Sequence, residues 1–459
     1  MDPLPVELRA FARQAPFAIA GRAVFEHLFR AEALDSWFRD NAFRQYEREL
    51  TFSSLVDLMA AVTFRRQSSV RKAYLADPTR WPVTLSAVYQ KLQGVEPSVC
   101  AALVADTSVR LHDLIRESGL PPETLVPGRR VMGVDGSHAA ATDHRLKVLR
   151  ETSLAALPCQ ALVVRDYQTG LLGTIVPTED AHVNERTLIP ALGDLIQPND
   201  VWLGDRNFCT AGLMAAVIDR RATFVFRRHA KTAWTQTSEF GDATTLSSGN
   251  RVDECDVVVR TPEGRELKMR QVRIRFAHAL ENGDHELFLF TNLPKEEVSA
   301  VRVAELYRTR WRIEGAFPVV TETMHGEVKS LGYPKAALFA MALSLVAYNI
   351  LVTLKRFAAT ALQVSPEDVS DNMIATEIQT VTTGMMIALP ECHWKPWGST
   401  NGKELARWLT ELLKELNPTK YRKAKRGPKN PRRLKKNGNS GHVATYRLLN
   451  RKPETSSPP

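Results

Sequence analysis

Three acidic residues stand where metal-assisted phosphate chemistry needs them. Asp135 closes the apolar run "RRVMGVDGS", Asp205 closes "DVWLGDRNF", and Glu314 ends the segment "YRTRWRIE". Carboxylates are the hard oxygen donors that Mg²⁺ prefers. Two such ions roughly 4 Å apart can activate an attacking oxygen and stabilise a leaving one in an in-line phosphoryl displacement. Taken singly, each acid has a plainer reading. An Asp after a strand is commonly a turn or cap residue. Glu314 lies four positions after Arg310, the spacing of a surface ion pair on a helix. The case rests on all three together.

Tyr307, Arg310, Trp311 and Glu314 fall at i, i+3, i+4 and i+7, one stripe of an α-helix. Ile313 and Phe317 lie on another side and can pack inward. A stripe of this composition suits a surface that meets nucleic acid, because Arg forks onto phosphate and Trp stacks on a base. An amphipathic helix with a cation–π pair and an ion pair would look the same.

The elements that must position these residues follow from the hydrophobic pattern. Residues 1–125 read as several short helices in series, with Thr84 or Ser86 capping the last. From about residue 126 the pattern becomes β-β-β-α-β-α-β. "RRVMGVDGS" is the first strand, "LPCQALVVRDYQTGLLGTIVP" two strands about a turn at 168–170, "NERTLIPALGDLI" a helix, and "DVWLGDRNF" the fourth strand. In a sheet of order 3-2-1-4-5, strands one and four are parallel neighbours, and Asp135 and Asp205 then end side by side. Residues 230–298 break the alternation as a β-rich insertion with a hairpin about Pro262-Glu263-Gly264. A long helix interrupted at Pro318 follows within 299–360, then a helical region over 361–416.

The net charge of +10 is unevenly spread over the 459 residues. Residues 417–459 carry 13 Lys and Arg against one acid, a charge of +12, and the remaining 416 residues are near neutral at −2. This basic tail cannot bury a core of its own, and it suits phosphate neutralisation. The composition, 44% hydrophobic and 24% charged, excludes a wholly disordered chain, a collagen and a coiled-coil rod. Five scattered cysteines without a CxxC pair argue against a disulfide framework or a zinc finger and for a reducing compartment. No signal-peptide layout is expected in the first thirty residues. The apolar stretch 337–354 is short for a membrane span and holds Ser344, Tyr348, Asn349 and Thr353, so it reads as a buried core helix.

"DGS" at 135–137, "GDRNF" at 204–208 and "YRTRWRIE" at 307–314, in that order, resemble a DDE transposase of the insertion-sequence-four family. "YRTRWRIE" is the most specific, and "GHVATYRLLNRK" near the end is similar to C-terminal ends in that family. The resemblance implies an α/β fold: a ribonuclease-H-like catalytic core interrupted by the β-insertion, an N-terminal helical domain for the DNA ends, and a helical C-terminal region ending in a basic tail. It implies Asp135, Asp205 and Glu314 as ligands of two Mg²⁺, for which Mn²⁺ can substitute. Tyr307 and Arg310 would hold transposon-end phosphates. The partner implied is double-stranded DNA, terminal inverted repeats and target, bound by a homodimer with no membrane involved. The setting implied is bacterial, cytoplasmic and nucleoid-associated. Water would attack a phosphodiester at the transposon end, and the freed 3′-hydroxyl would then attack target DNA, in the best-understood relatives by way of a hairpin end.

One departure stands out. The family pattern has a Lys seven residues after the Glu, where this chain has Thr321. Lys329 is the candidate substitute, a shifted helix is a second explanation and reduced activity a third. Relatives use an aromatic residue near Trp234 to hold a flipped base, although no motif fixes Trp234 in that role. His138 and His325 are read as solvent or packing residues. Two other functions stay open: a catalytically inactive DNA-binding relative, and a metal-dependent nuclease on the same fold.

Overall fold

The computed structural model describes residues 6–451, apart from 46–47, 65, 120, 281–282, 325, 390 and 425–440. Helices occupy most of the chain from Val6 to Glu117. Small polar residues start several of them. The side chains of Thr51, Ser69 and Thr84 each accept a hydrogen bond from the backbone N–H three residues on. That satisfies a donor the first helical turn leaves unpaired. The helix that Thr84 caps, Leu85–Gly94, is not the last as expected: a further helix, Pro97–Glu117, follows and packs against a long apolar helix, Pro334–Ala361. The most apolar 18-residue window of that long helix is 94% buried inside the protein, so it is a core helix, as its length and polar residues predict.

The central sheet is built from β1 (Arg130–His138), β2 (Gln160–Asp166), β3 (Leu172–Thr178), β4 (Asp200–Gly204), β5 (Thr223–Arg227), β6 (Trp234–Gln236), β7 (Arg251–Arg260), β8 (Glu266–Arg275) and β9 (Glu286–Thr291). Their spatial order is β3-β2-β1-β4-β5-β9-β8-β7-β6, with Thr244–Thr245 pairing on β7 as well. β1 and β4 are parallel, as are β4 and β5, whereas β1–β2 and β2–β3 are antiparallel. The first five strands therefore stand in the order 3-2-1-4-5, with strands one and four adjacent.

The β-rich stretch 230–298 continues this sheet. β9 pairs antiparallel with β5, Phe290 opposite Phe226, and the β7–β8 hairpin adds on beyond it. Its turn places Gly264 at φ +86°, a conformation that glycine adopts without strain. "NERTLIPALGDLI" differs from its expected α-helix and forms two 3₁₀ segments, Glu185–Thr187 and Ile189–Leu195. Pro190 offers no N–H to the preceding turn, and Gly193 is a poor helix former.

Alternate residues of the strands serve opposite faces. Met132, Val134, Leu162, Trp202 and Phe224 pack with the helix Ala211–Asp219 and the 3₁₀ segments. Val131, Val201, Leu203 and Val225 pack with Val303, Leu306 and Tyr307 of the helix Ala300–Thr309. The acids lie on this second face.

The basic C-terminal stretch is partly built into the body, which corrects its reading as a tail without a fold. Tyr421 is 1% exposed and donates its hydroxyl proton to buried Glu377. His442–Ala444 pairs in parallel with Ala155–Leu157, and Arg447 forms an ion pair with Asp180 at 2.8 Å. An aromatic side chain, a strand ladder and an ion pair anchor segments whose net composition is only basic. Residues 425–440 and 452–459, which hold most of the tail's remaining charge, lie outside the described residues.

Candidate active site

The site begins with ladder register. Gly133 of β1 stands opposite Leu203 of β4. Asp135 and Asp205 each follow two residues later, so both side chains emerge on the Leu203 face. Asp205 follows the end of β4, whereas β1, expected to turn after Asp135, continues to His138 because it pairs on with β2. Local hydrogen bonds hold both carboxylates. Asp135 Oδ1 accepts the N–H of Gly136 at 3.0 Å, and Asp205 Oδ1 accepts the N–H of Asn207 at 2.7 Å.

Glu314 arrives from the covering layer. The helix Ala300–Thr309 ends at Arg310, and a second helix, Trp311–Pro318, carries Glu314 with Ile313 and Ala316 as its buried anchors. Tyr167 fixes the junction: its hydroxyl donates to the Arg310 carbonyl at 3.0 Å. The Tyr167 ring crosses the backbone of Gly133 so closely that a Cβ there would lie 2.5 Å from it. Glycine at 133 is thus a condition for locating Arg310.

Arg310 joins the acids. Its guanidinium is 2.6 Å from Glu314 and 3.6 Å from Asp135, with the side chain 5% exposed. Its Nε and Nη1 are buried without a hydrogen-bond acceptor. Burial is the main reason the Asp135 carboxyl is pushed up to about 7; Arg310 opposes the rise, and the charges of Glu314 and Asp205 add to it. Asp135 therefore feels the charges of both other acids. As they stand, no group of three or more His, Cys, Asp or Glu among the described residues is gathered to hold a metal ion. Instead a cationic side chain is wedged between two of the carboxylates. An all-carboxylate donor set suits a hard divalent cation, and the Arg310 Nε and Nη1 groups lack an acceptor.

The stripe predicted on this helix is divided by the structure. Tyr307 is 5% and Arg310 4% exposed, while Trp311 is 61% exposed. Tyr307 belongs to the core under the sheet, so the reading of the whole stripe as a surface is corrected. The break at Arg310 and the sheet beneath decide which part is covered. Arg310 still lies over the Trp311 ring, 5.0 Å from its centroid.

Beyond Pro318 the chain makes a π-helical turn, Val319–Thr323. The N–H of Met324 reaches back five residues to the carbonyl of Val319 at 2.8 Å. This shifts the register from Val319 on, and Thr321 faces a groove that exposed Lys329 also lines, together with Lys72 and Arg145. Trp234 is half-buried, set against Phe290 and under the Arg228 guanidinium. His138 lies within hydrogen-bond reach of the Ala181 carbonyl at 3.2 Å, and His325 lies outside the described residues. The five cysteines are free, with Cys392 alone exposed among them.

Two residues at this site carried no signal in the sequence. Tyr167 gives no motif, and its role exists only through Gly133 and Arg310. Glu185 sits on a 3₁₀ segment, and its carboxylate reaches both Gly136, next to Asp135 on β1, and Asn207 in the loop after Asp205.

Comparison with known proteins adds an independent line. Residues 134–350 match the family model described as the transposase DDE domain. A 68-residue stretch is 40% identical to the putative transposase of insertion sequence element IS186A from Escherichia coli (strain K12). The transposase of insertion sequence element IS421 from Escherichia coli matches at the same identity and length. These matches cover 15% of this chain and 18% of each relative, so the chain spans less than a fifth of the length of the curated relatives it matches. Residues 134–350, which contain all three acids, are thus similar to a transposase DDE domain.

Proposed function

We propose that this chain is the DNA transposase of a bacterial insertion sequence of the insertion-sequence-four family. It hydrolyses phosphodiesters at the ends of its element and joins the freed 3′-hydroxyl to target DNA. The observation that carries this reading is Arg310 set between Asp135 and Glu314, with the charge of Asp205 also acting on Asp135, inside the stretch that matches the DDE domain. The strand order 3-2-1-4-5 supports a ribonuclease-H-like core, with residues 230–298 as its insertion.

In this reading Asp135, Asp205 and Glu314 would hold two Mg²⁺, which would supply Lewis-acid stabilisation to the oxygens of the reacting phosphodiester. The chain's own residues do the rest. Asn207 and Gly136 fix the aspartates through their N–H groups. Tyr167 fixes the height of the helix junction, and thereby of Arg310 and Glu314. Arg310 serves as internal counter-ion to carboxylates that would otherwise repel one another. Exposed Trp311 offers a stacking face beside the acids. Lys329, in the groove it shares with Thr321, takes the phosphate contact that the family Lys makes. Double-stranded DNA bound by a homodimer is the partner, with the N-terminal helices as the end-binding unit.

The test is cleavage of DNA carrying the inverted repeats that flank the gene. Divalent-dependent nicking and strand transfer of a labelled 3′ end support a transposase. Nicking without transfer favours a nuclease.

A further inference from the structure

Glu185 lies fifty residues from Asp135 in sequence and on neither of the strands that carry the aspartates. Its Oε2 accepts a hydrogen bond from the Asn207 side-chain N–H at 3.1 Å. Asn207 in turn donates its backbone N–H to Asp205. The other carboxylate oxygen of Glu185 occupies the space over Gly136, where a Cβ would come within 1.9 Å of it. One side chain thus touches the residue after Asp135 and the residue that holds Asp205. Asn184 fixes the start of its short 3₁₀ segment by accepting the Arg186 N–H at 3.0 Å.

From this geometry we infer that Glu185 is a positioning residue that sets the separation of Asp135 and Asp205 by clamping the Asn207 loop against Gly136. The inference rests on the reading of the two aspartates as metal ligands. It explains why glycine follows Asp135, since any Cβ there would push the Glu185 carboxylate away. Hydrogen-bond partners of metal ligands orient them, and their loss commonly costs tenfold or more in metal affinity.

The test uses the full-length protein and Mn²⁺ alone, with binding followed by loss of the free-ion electron paramagnetic resonance signal. Glu185→Ala should weaken Mn²⁺ binding about tenfold. Glu185→Gln keeps an oxygen for the Asn207 N–H and should stay within about threefold of the wild type. Gly136→Ala should weaken binding on its own and add little in the Glu185→Ala background, because both act through one contact. Thermal unfolding of each variant should resemble that of the wild type. Wild-type affinity in Glu185→Ala overturns the inference. Equal losses in the Ala and Gln variants also overturn it, since they would make the charge a ligand and not a clamp. Asp205→Ala is the control: undiminished binding there overturns the metal-site reading itself, and this inference with it.

Discussion

Replacing Asp135 with Asn should stabilise the metal-free protein, and the gain should depend on pH. Asn keeps the shape of the side chain and removes its charge. In the folded protein the Asp135 carboxyl rises from 3.8 to about 7, because burial and then the neighbouring acids outweigh the attraction of Arg310. The unfolded chain therefore releases this proton near pH 4 and the folded chain only near pH 7. Below pH 4 both states hold the proton and it contributes nothing. As pH rises from 4 to 7 the unfolded state is increasingly favoured, and above 7 the full cost is present. A difference of about three pH units corresponds to about 4 kcal/mol at most. The side chain is 19% exposed, so some solvent screening applies and about 2 kcal/mol is a reasonable lower expectation. Urea unfolding of wild type and Asp135→Asn in EDTA, from pH 4 to 8.5, reads this directly. The stability difference should open between pH 4 and 7 and level off above. A gap that does not vary with pH, or an Asn variant less stable at pH 8, would refute the assignment of strain to this carboxyl.

Other consequences follow from the same contacts. Arg310→Ala leaves Glu314 and Asp135 without their counter-charge, so Asp135 should titrate still higher and the variant should lose more stability at pH 8 than at pH 5, measured by the same unfolding series. Tyr167→Phe removes the bond to the Arg310 carbonyl and should cost about 1–2 kcal/mol in denaturant unfolding. An unchanged midpoint would mean that the helix junction is held by packing alone. Lys329→Ala should weaken binding to DNA of any sequence and reduce the slope of log affinity against log salt by about one. An unchanged slope removes Lys329 from the DNA contact.

The positions of Asp135 and Asp205 were legible because parallel neighbouring strands follow from the order of elements, and an acid at a strand end needs no further information to be located. Glu314 was legible from its motif. The faces of its helix were not: periodicity groups Tyr307, Arg310, Trp311 and Glu314, but the sheet below and the break at Arg310 decide that two of them are buried. The helix expected over 184–196 failed on Pro190 and Gly193, whose effects are local and visible in the sequence. That β9 would join β5, or that His442–Ala444 would pair with Ala155–Leu157, rests on contacts between distant segments that no local pattern records. Tyr167 and Glu185 belong to the same class, since each acts by crossing a glycine on β1.

The central claim is that Asp135, Asp205 and Glu314 form one catalytic centre for DNA. The most direct measurement is Mg²⁺-dependent cleavage of the flanking inverted-repeat ends by the wild type and by Asp205→Ala, with DNA binding measured in parallel. The variant should bind the ends without cleaving them, and EDTA should abolish wild-type cleavage. Cleavage that survives Asp205→Ala, or that proceeds in EDTA, would contradict it.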